Sequence, residues 1–166
     1  MRLTLLMFTV ALAASAAAAV HAGPAAGASA PDFVLKSVAG SNVRLSEHRS
    51  EVVMLAFTSS RCSACRAWDA NLAEVHRRYR DAGLVLLVVS LDRNPRDAES
   101  VASRLGADFP VLVDTRGETG KLFDIDDLPT LVLIDRTGVV RHVLDGDSRA
   151  GEREPEERVM ALLREL

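Results

Sequence analysis

The sequence predicts an α/β fold: a mixed central β-sheet flanked by helices, with a β-hairpin at its N-terminal end. Three observations carry that reading. Strand and helix signals alternate along most of the chain; Leu84 to Leu91 is almost wholly aliphatic, as in a strand buried on both faces of a parallel or mixed sheet; and the chain closes on a hairpin signal followed by an amphipathic helix. The 166 residues, 48% apolar and 26% charged, match one ordinary globular domain and leave no room for a second.

The first segment reads as an address. Arg2 is a short positive n-region, Leu3 to Val20 is apolar or small apart from Thr4, Thr9 and Ser15, and Val20-His21-Ala22 offers a cleavage site. Residues 1–22 are therefore expected to be a signal peptide and the protein periplasmic. The alternative is an uncleaved anchor holding the domain at the membrane, since roughly 17 to 25 apolar residues cross a bilayer. The alanine-rich second half of the run favours cleavage. Gly23 to Ala30, all Gly, Ala, Ser and Pro, reads as a flexible leader, and the domain proper is expected over 31–166.

The elements follow in order. Phe33 to Val38 and Asn42 to Leu45 flank the turn signal Gly40-Ser41 and form the hairpin. Val52 to Phe57 is a short apolar run fit for a buried strand. From Ala64 to Asp81 the period becomes helical, with Trp68, Leu72, Val75 and Tyr79 on one face and Arg66, Asp69, Glu74, Arg77, Arg78 and Arg80 among the other positions; Gly83 ends that helix. After the Leu84 to Leu91 strand, Asp97 to Leu105 is a second helix stopped by Gly106. Val111 to Val113 is a short strand and Thr119 to Phe123 a helical turn. Thr130 to Asp135 and Val139 to Leu144 make a hairpin around Thr137-Gly138. Glu154-Pro155 opens a last helix with Val159, Leu162, Leu163 and Leu166 on one face.

Charge excludes some partners. With 20 Lys and Arg against 23 Asp and Glu, net charge −3 and no basic block, neither a nucleic-acid backbone nor an anionic membrane surface finds a counterpart here. The two cysteines point to chemistry. Cys62-Ser63-Ala64-Cys65 lies where the Val52 strand gives way to the Trp68 helix, so the first sulfur meets unpaired helix N–H groups and the positive end of the helix dipole. Arg61 and Arg66 add positive charge on either side. Both effects favour a Cys62 thiolate, the reactive form, and let Cys65, one turn further in, resolve a mixed disulfide on Cys62. A purely structural disulfide between these two would close almost no loop entropy. A metal site would need further ligands, and His48, His76 and His142 stand singly. They read as exposed or incidentally packed, and neither a metal nor a cofactor is expected.

Several segments around these cysteines resemble one family. Ala30-Pro31-Asp32-Phe33, Phe57 to Arg66, Leu84 to Asp92, Asp108-Phe109-Pro110-Val111 and Leu128-Pro129-Thr130 leading to Leu133-Ile134-Asp135-Arg136-Thr137-Gly138 look like the bacterial extracytoplasmic thioredoxin-like proteins of the TlpA/ResA type. The resemblance covers Ala30 to about Leu144. It implies a thioredoxin-like fold whose active-site disulfide exchanges with partner thiols, with Pro129 a cis-proline facing the cysteines and Leu128, Pro129 and Thr130 binding the substrate backbone. Three departures stand out. Arg61 replaces the aromatic residue usual before the first cysteine, and Ser63-Ala64 replaces the proline common between the cysteines, so Arg61, Ser63 and Ala64 are the modulating positions and the redox potential is left open. The buried acid of thioredoxin falls at Ala56, which accepts no proton. The extra glutamate of ResA-type reductases has no counterpart, the stretch after Leu91 reading Asp92-Arg93-Asn94, and Asp126-Asp127 reads as a solvated acidic loop. The proton acceptor for Cys65 is left open.

The resemblance implies a thiol-disulfide oxidoreductase that reduces exported thiol- or disulfide-bearing proteins, fed by a membrane thiol donor, with cytochrome c maturation as one pathway. The alternatives are a disulfide oxidase or isomerase, a peroxiredoxin-like thiol peroxidase suggested by Ser59-x-x-Cys62, and a non-enzymatic copper-handling module.

Overall fold

The computed structural model describes residues 23–146 and 154–165, so the expected signal peptide, residues 1–22, lies outside the described residues. In chain order the elements are β1 (Val34–Ser37), β2 (Asn42–Arg44), β3 (Val52–Thr58), α1 (Cys65–Tyr79), β4 (Leu84–Ser90), α2 (Pro95–Leu105), β5 (Val111–Val113), α3 (Glu118–Leu122), β6 (Thr130–Ile134), β7 (Val140–Asp145) and α4 (Glu154–Arg164). Among the described residues the strands form one sheet in the order β2-β1-β5-β4-β3-β6-β7.

The aliphatic runs take the centre. β3 is buried along its whole length and pairs parallel with β4, Val52 opposite Leu84 through to Thr58 opposite Ser90. A parallel pair needs a crossover, and α1 supplies it. β4 pairs parallel with β5, while β6 joins the other side of β3 antiparallel, giving the mixed sheet.

Alternate residues of β3 leave opposite faces. Val52, Met54 and Ala56 enter a core with Leu72 and Val75 of α1, Val101 of α2 and Val159 and Leu162 of α4. Val53, Leu55 and Phe57 enter a second core with Phe33, Leu112, Phe123 and Val140. The face of β3 carrying Ala56 is thus the face beneath α1, which matters for the site.

Boundaries moved where backbone chemistry outweighs side-chain pattern. α2 starts at Pro95, two residues before the apolar period shows, because Asn94 accepts the Arg96 N–H at 3.2 Å and Pro95 occupies the first helical position. Gly83, at φ 95°, takes the left-handed turn that releases the chain into β4. The leader expected to be flexible over 23–30 is corrected in its second half. The Gly27 N–H donates to the Val140 carbonyl at 2.7 Å, Val140 donates back to Ala28 at 2.8 Å, and Ala30 is buried against the second core. These small residues cover the start of β7, an edge strand with unpaired backbone groups.

The histidines are packed individually. His48 pairs with Glu51 at 2.9 Å, and His76 packs edge-on to Phe109 with Asp108 3.8 Å from its Nδ1. Burial holds the His76 imidazole below its ordinary 6.5, Asp108 pulling the other way. The unfolded chain therefore takes up this proton first, so the neutral ring contributes stability above pH 6.5 that is lost as the pH falls through the folded-state value. Asp32 and Asp135, both held below their usual 3.8, lose their contributions only in stronger acid. The thermal midpoint is expected to fall between about pH 7 and about pH 5, and His76→Gln to flatten part of that fall. His142, also depressed by burial and by neighbouring arginines, accounts for the remainder. Melting curves of both proteins across that range check it; an unchanged slope in His76→Gln would place the proton elsewhere.

Candidate active site

β3 ends at Thr58 and α1 begins at Cys65, so the turn of residues 59–64 carries Cys62 and leads directly into Cys65. A carboxylate holds that turn. Asp92, just beyond β4 and only 7% exposed, accepts the Ser60 N–H at 2.8 Å and the Ser60 hydroxyl at 2.9 Å, and the Ser90 hydroxyl at 2.8 Å. Bonds to an ionised acceptor are among the stronger hydrogen bonds, so the approach to Cys62 is fixed from the parallel neighbour strand. Two longer contacts within the turn, Arg61 N–H to Ser59 Oγ and Cys62 N–H to the Ser59 carbonyl, both at 3.2 Å, complete it.

No side-chain oxygen caps α1. The sulfur of Cys62 takes that place, accepting the Cys65 N–H at 3.0 Å. Cys62 therefore stands just before the helix rather than in it, and a helix-terminal N–H is aimed at its sulfur. The two cysteines are joined in a disulfide with Cα atoms 5.3 Å apart. Cys62 is partly exposed and Cys65 is 1% exposed. Arg61, Ser63 and Ala64 are exposed around the pair.

The opposite wall comes from β6. Its antiparallel register sets Thr130 opposite Phe57, which brings the preceding Leu128–Pro129 bond, a cis peptide, beside the cysteines. Cys65, Trp68, Pro129 and Thr130 line one small cavity under the disulfide. The Thr130 hydroxyl donates to the Asp127 carbonyl at 2.7 Å, and the Gly146 N–H donates to the Pro129 carbonyl at 2.8 Å. A Cβ on Gly146 would come within 2.5 Å of the proline ring, so only glycine lets the end of β7 close on this loop. Leu128 is partly exposed, and Asp126 and Asp127 face solvent.

Sequence reasoning located the cysteine pair and Leu128, Pro129 and Thr130, and the fold brings them together. Arg61, Ser63 and Ala64 border the disulfide without bonding to it. The role of Asp92 escaped it, although an aspartate directly after an aliphatic strand, with Ser90 two residues before, is a visible signal. Among the described residues no three His, Cys, Asp or Glu side chains group as metal ligands, and no helix is long and apolar enough to cross a membrane.

Comparison with known proteins agrees with this geometry. The model of the AhpC/TSA family matches residues 26–143. Thiol-disulfide oxidoreductase ResA of Geobacillus kaustophilus is 32% identical over 122 residues, which span 74% of this chain and 70% of that protein. ResA of Bacillus subtilis is 28% identical over 120 residues, 72% of this chain and 67% of that protein. Among solved structures, a proposed thiol:disulfide interchange protein DsbE from Chlorobium tepidum superimposes with a TM-score of 0.80 at 32% identity, covering 85% of this chain and 99% of the other. The chain accordingly belongs to the AhpC/TSA family, and it is a thiol-disulfide oxidoreductase of thioredoxin-like fold.

Proposed function

We propose that the protein is an extracytoplasmic reductase of disulfides in exported partner proteins, with Cys62 the nucleophile and Cys65 the resolving thiol. The observation that carries the assignment is the asymmetry of the pair: Cys62 is partly exposed and receives a helix N–H, whereas Cys65 is 1% exposed. A Cys62 thiolate attacks a partner disulfide and releases one partner thiol. Cys65 then attacks Cys62 and releases the second, leaving the Cys62–Cys65 disulfide and two electrons delivered to the partner. Leu128, Pro129 and Thr130 present backbone groups to the partner chain, while Arg61, Ser63 and Ala64 tune the thiolate.

The direction follows from the resemblance to TlpA/ResA-type proteins. Bacterial periplasm is kept oxidising, so a reductase there needs its own electron supply, here a membrane thiol donor; maturation of cytochrome c is one pathway among several that fit such a chain of transfers. The layout proposed is a signal peptide over 1–22 and a short leader before the thioredoxin-like domain, with Gly27 to Ala30 docked on β7.

Fractionation with thiol alkylation on lysis tests this reading. The mature chain, lacking 1–22, is expected in the periplasm with a substantial share of its cysteines as dithiol. A chain retaining Leu3 to Val20 in the membrane fraction would replace export by anchoring. A pair held wholly oxidised in the cell would turn the proposal towards an oxidase.

A further inference from the structure

We infer that Asp69 is the proton acceptor for Cys65, working through one water in the cavity beneath the disulfide; this rests on Cys65 being the resolving thiol. Resolution needs a Cys65 thiolate, yet this sulfur is 1% exposed, and burial in apolar surroundings disfavours the charged form. A base inside the protein must take the proton. The strand beneath supplies none, because Ala56 occupies the position facing the helix.

The helix itself supplies it. Asp69 follows Cys65 by four residues, so both side chains lie on one side of α1. The cavity between helix and strand has a volume of about 10 Å³ and is walled by Ala56, Thr58, Cys65, Trp68, Asp69 and Pro129 among others. That is room for a single water, provided polar partners hold it. Thr58 Oγ1 is one, a buried hydroxyl with no hydrogen-bond partner in the protein. The Asp69 carboxylate, its side chain 12% exposed, is the other. Arg104 of α2 donates through Nε to Asp69 Oδ2 at 2.7 Å, fixing the group while its other oxygen keeps lone pairs for the water.

Other charged groups near Cys65 are occupied or turned away. Arg66 is exposed, both oxygens of Asp92 are bonded to Ser60 and Ser90, Asp126 and Asp127 stand in solvent, and β3 lines the cavity with Ala56, Phe57 and Thr58, none of them charged.

The step balances as follows. With a partner sulfur bound to Cys62, the Cys65 thiol passes its proton to the water, which passes one to Asp69. The Cys65 thiolate attacks Cys62 Sγ, the bond from Cys62 to the partner sulfur breaks, and the Cys62–Cys65 bond forms. The partner leaves as a thiolate with the electron pair and takes a proton from solvent, to which Asp69 returns its own.

The test follows both sulfurs separately. Reduced protein is mixed with one equivalent of dithiobis-nitrobenzoate in a stopped-flow instrument. A first release of thionitrobenzoate reports attack by Cys62, and a second reports resolution by Cys65. Asp69→Asn keeps an oxygen for Arg104 but accepts no proton. It is expected to slow the second phase by about ten- to a hundredfold near neutral pH, to leave the first unchanged, and to lose the difference in alkali, where hydroxide serves as base. Thr58→Val, which leaves the Asp69–Arg104 pair intact, is expected to slow the second phase severalfold with the same pH dependence. A second phase in Asp69→Asn with the wild-type pH profile, or one slowed equally at every pH, would overturn the inference while leaving the cysteine roles standing. A first phase that persists at the wild-type rate in Cys62→Ser would instead overturn those roles, and the inference with them.

Discussion

Cys62→Ser is expected to lose disulfide exchange by roughly 10³-fold or more while remaining folded, because it removes the attacking atom but leaves a serine oxygen to accept the residue 65 N–H at the start of α1. The Cys62–Cys65 bond closes so short a loop that chain entropy assigns it only ~2 kcal/mol. The turn that carries it is held independently by Asp92 through Ser60. Residual thiol chemistry through Cys65 is blocked by its burial. Reduction of a model disulfide by the variant, alongside its melting curve, checks this. Exchange persisting within tenfold of wild type, in a folded variant, would remove Cys62 from the mechanism.

Cys65→Ser produces the opposite failure. Cys62 still attacks, with the residue 65 N–H still directed at its sulfur, but no thiol remains to release the bound partner. Covalent complexes are expected to accumulate in cells and to vanish on treatment with dithiothreitol. Mass spectrometry of the trapped species should place the partner on Cys62 and name the physiological substrate. Trapping by Cys62→Ser through Cys65 would reverse the two roles.

Much of the fold was legible because its central strands are aliphatic runs with nothing else to be. β3 is buried end to end and β4 at every residue but Val85, and no helix-period pattern competes there. The site was legible because two cysteines at a strand-to-helix junction have one economical explanation. What escaped was carried by backbone or by a third dimension. Gly27 to Ala30 dock on β7 through N–H and carbonyl groups, which Gly, Ala and Ser share with any flexible linker. Asp69 stood among the polar positions of a helix read from its Trp68 period; it shares the side of buried Cys65 and Leu72, and its partner Arg104 lies on α2, 35 residues distant in sequence. Asp92 likewise acquires its meaning only when the parallel register of β3 and β4 sets Thr58 beside Ser90.

Equilibrating the protein with graded glutathione or dithiothreitol buffers, and counting alkylated cysteines at each point, tests the central claim most directly. An exchanging pair predicts one reversible two-electron transition at a potential above about −300 mV, among the thioredoxin-like oxidoreductases, and its loss in Cys62→Ser. A pair that stays oxidised until well below about −300 mV would behave as a structural disulfide and contradict the account.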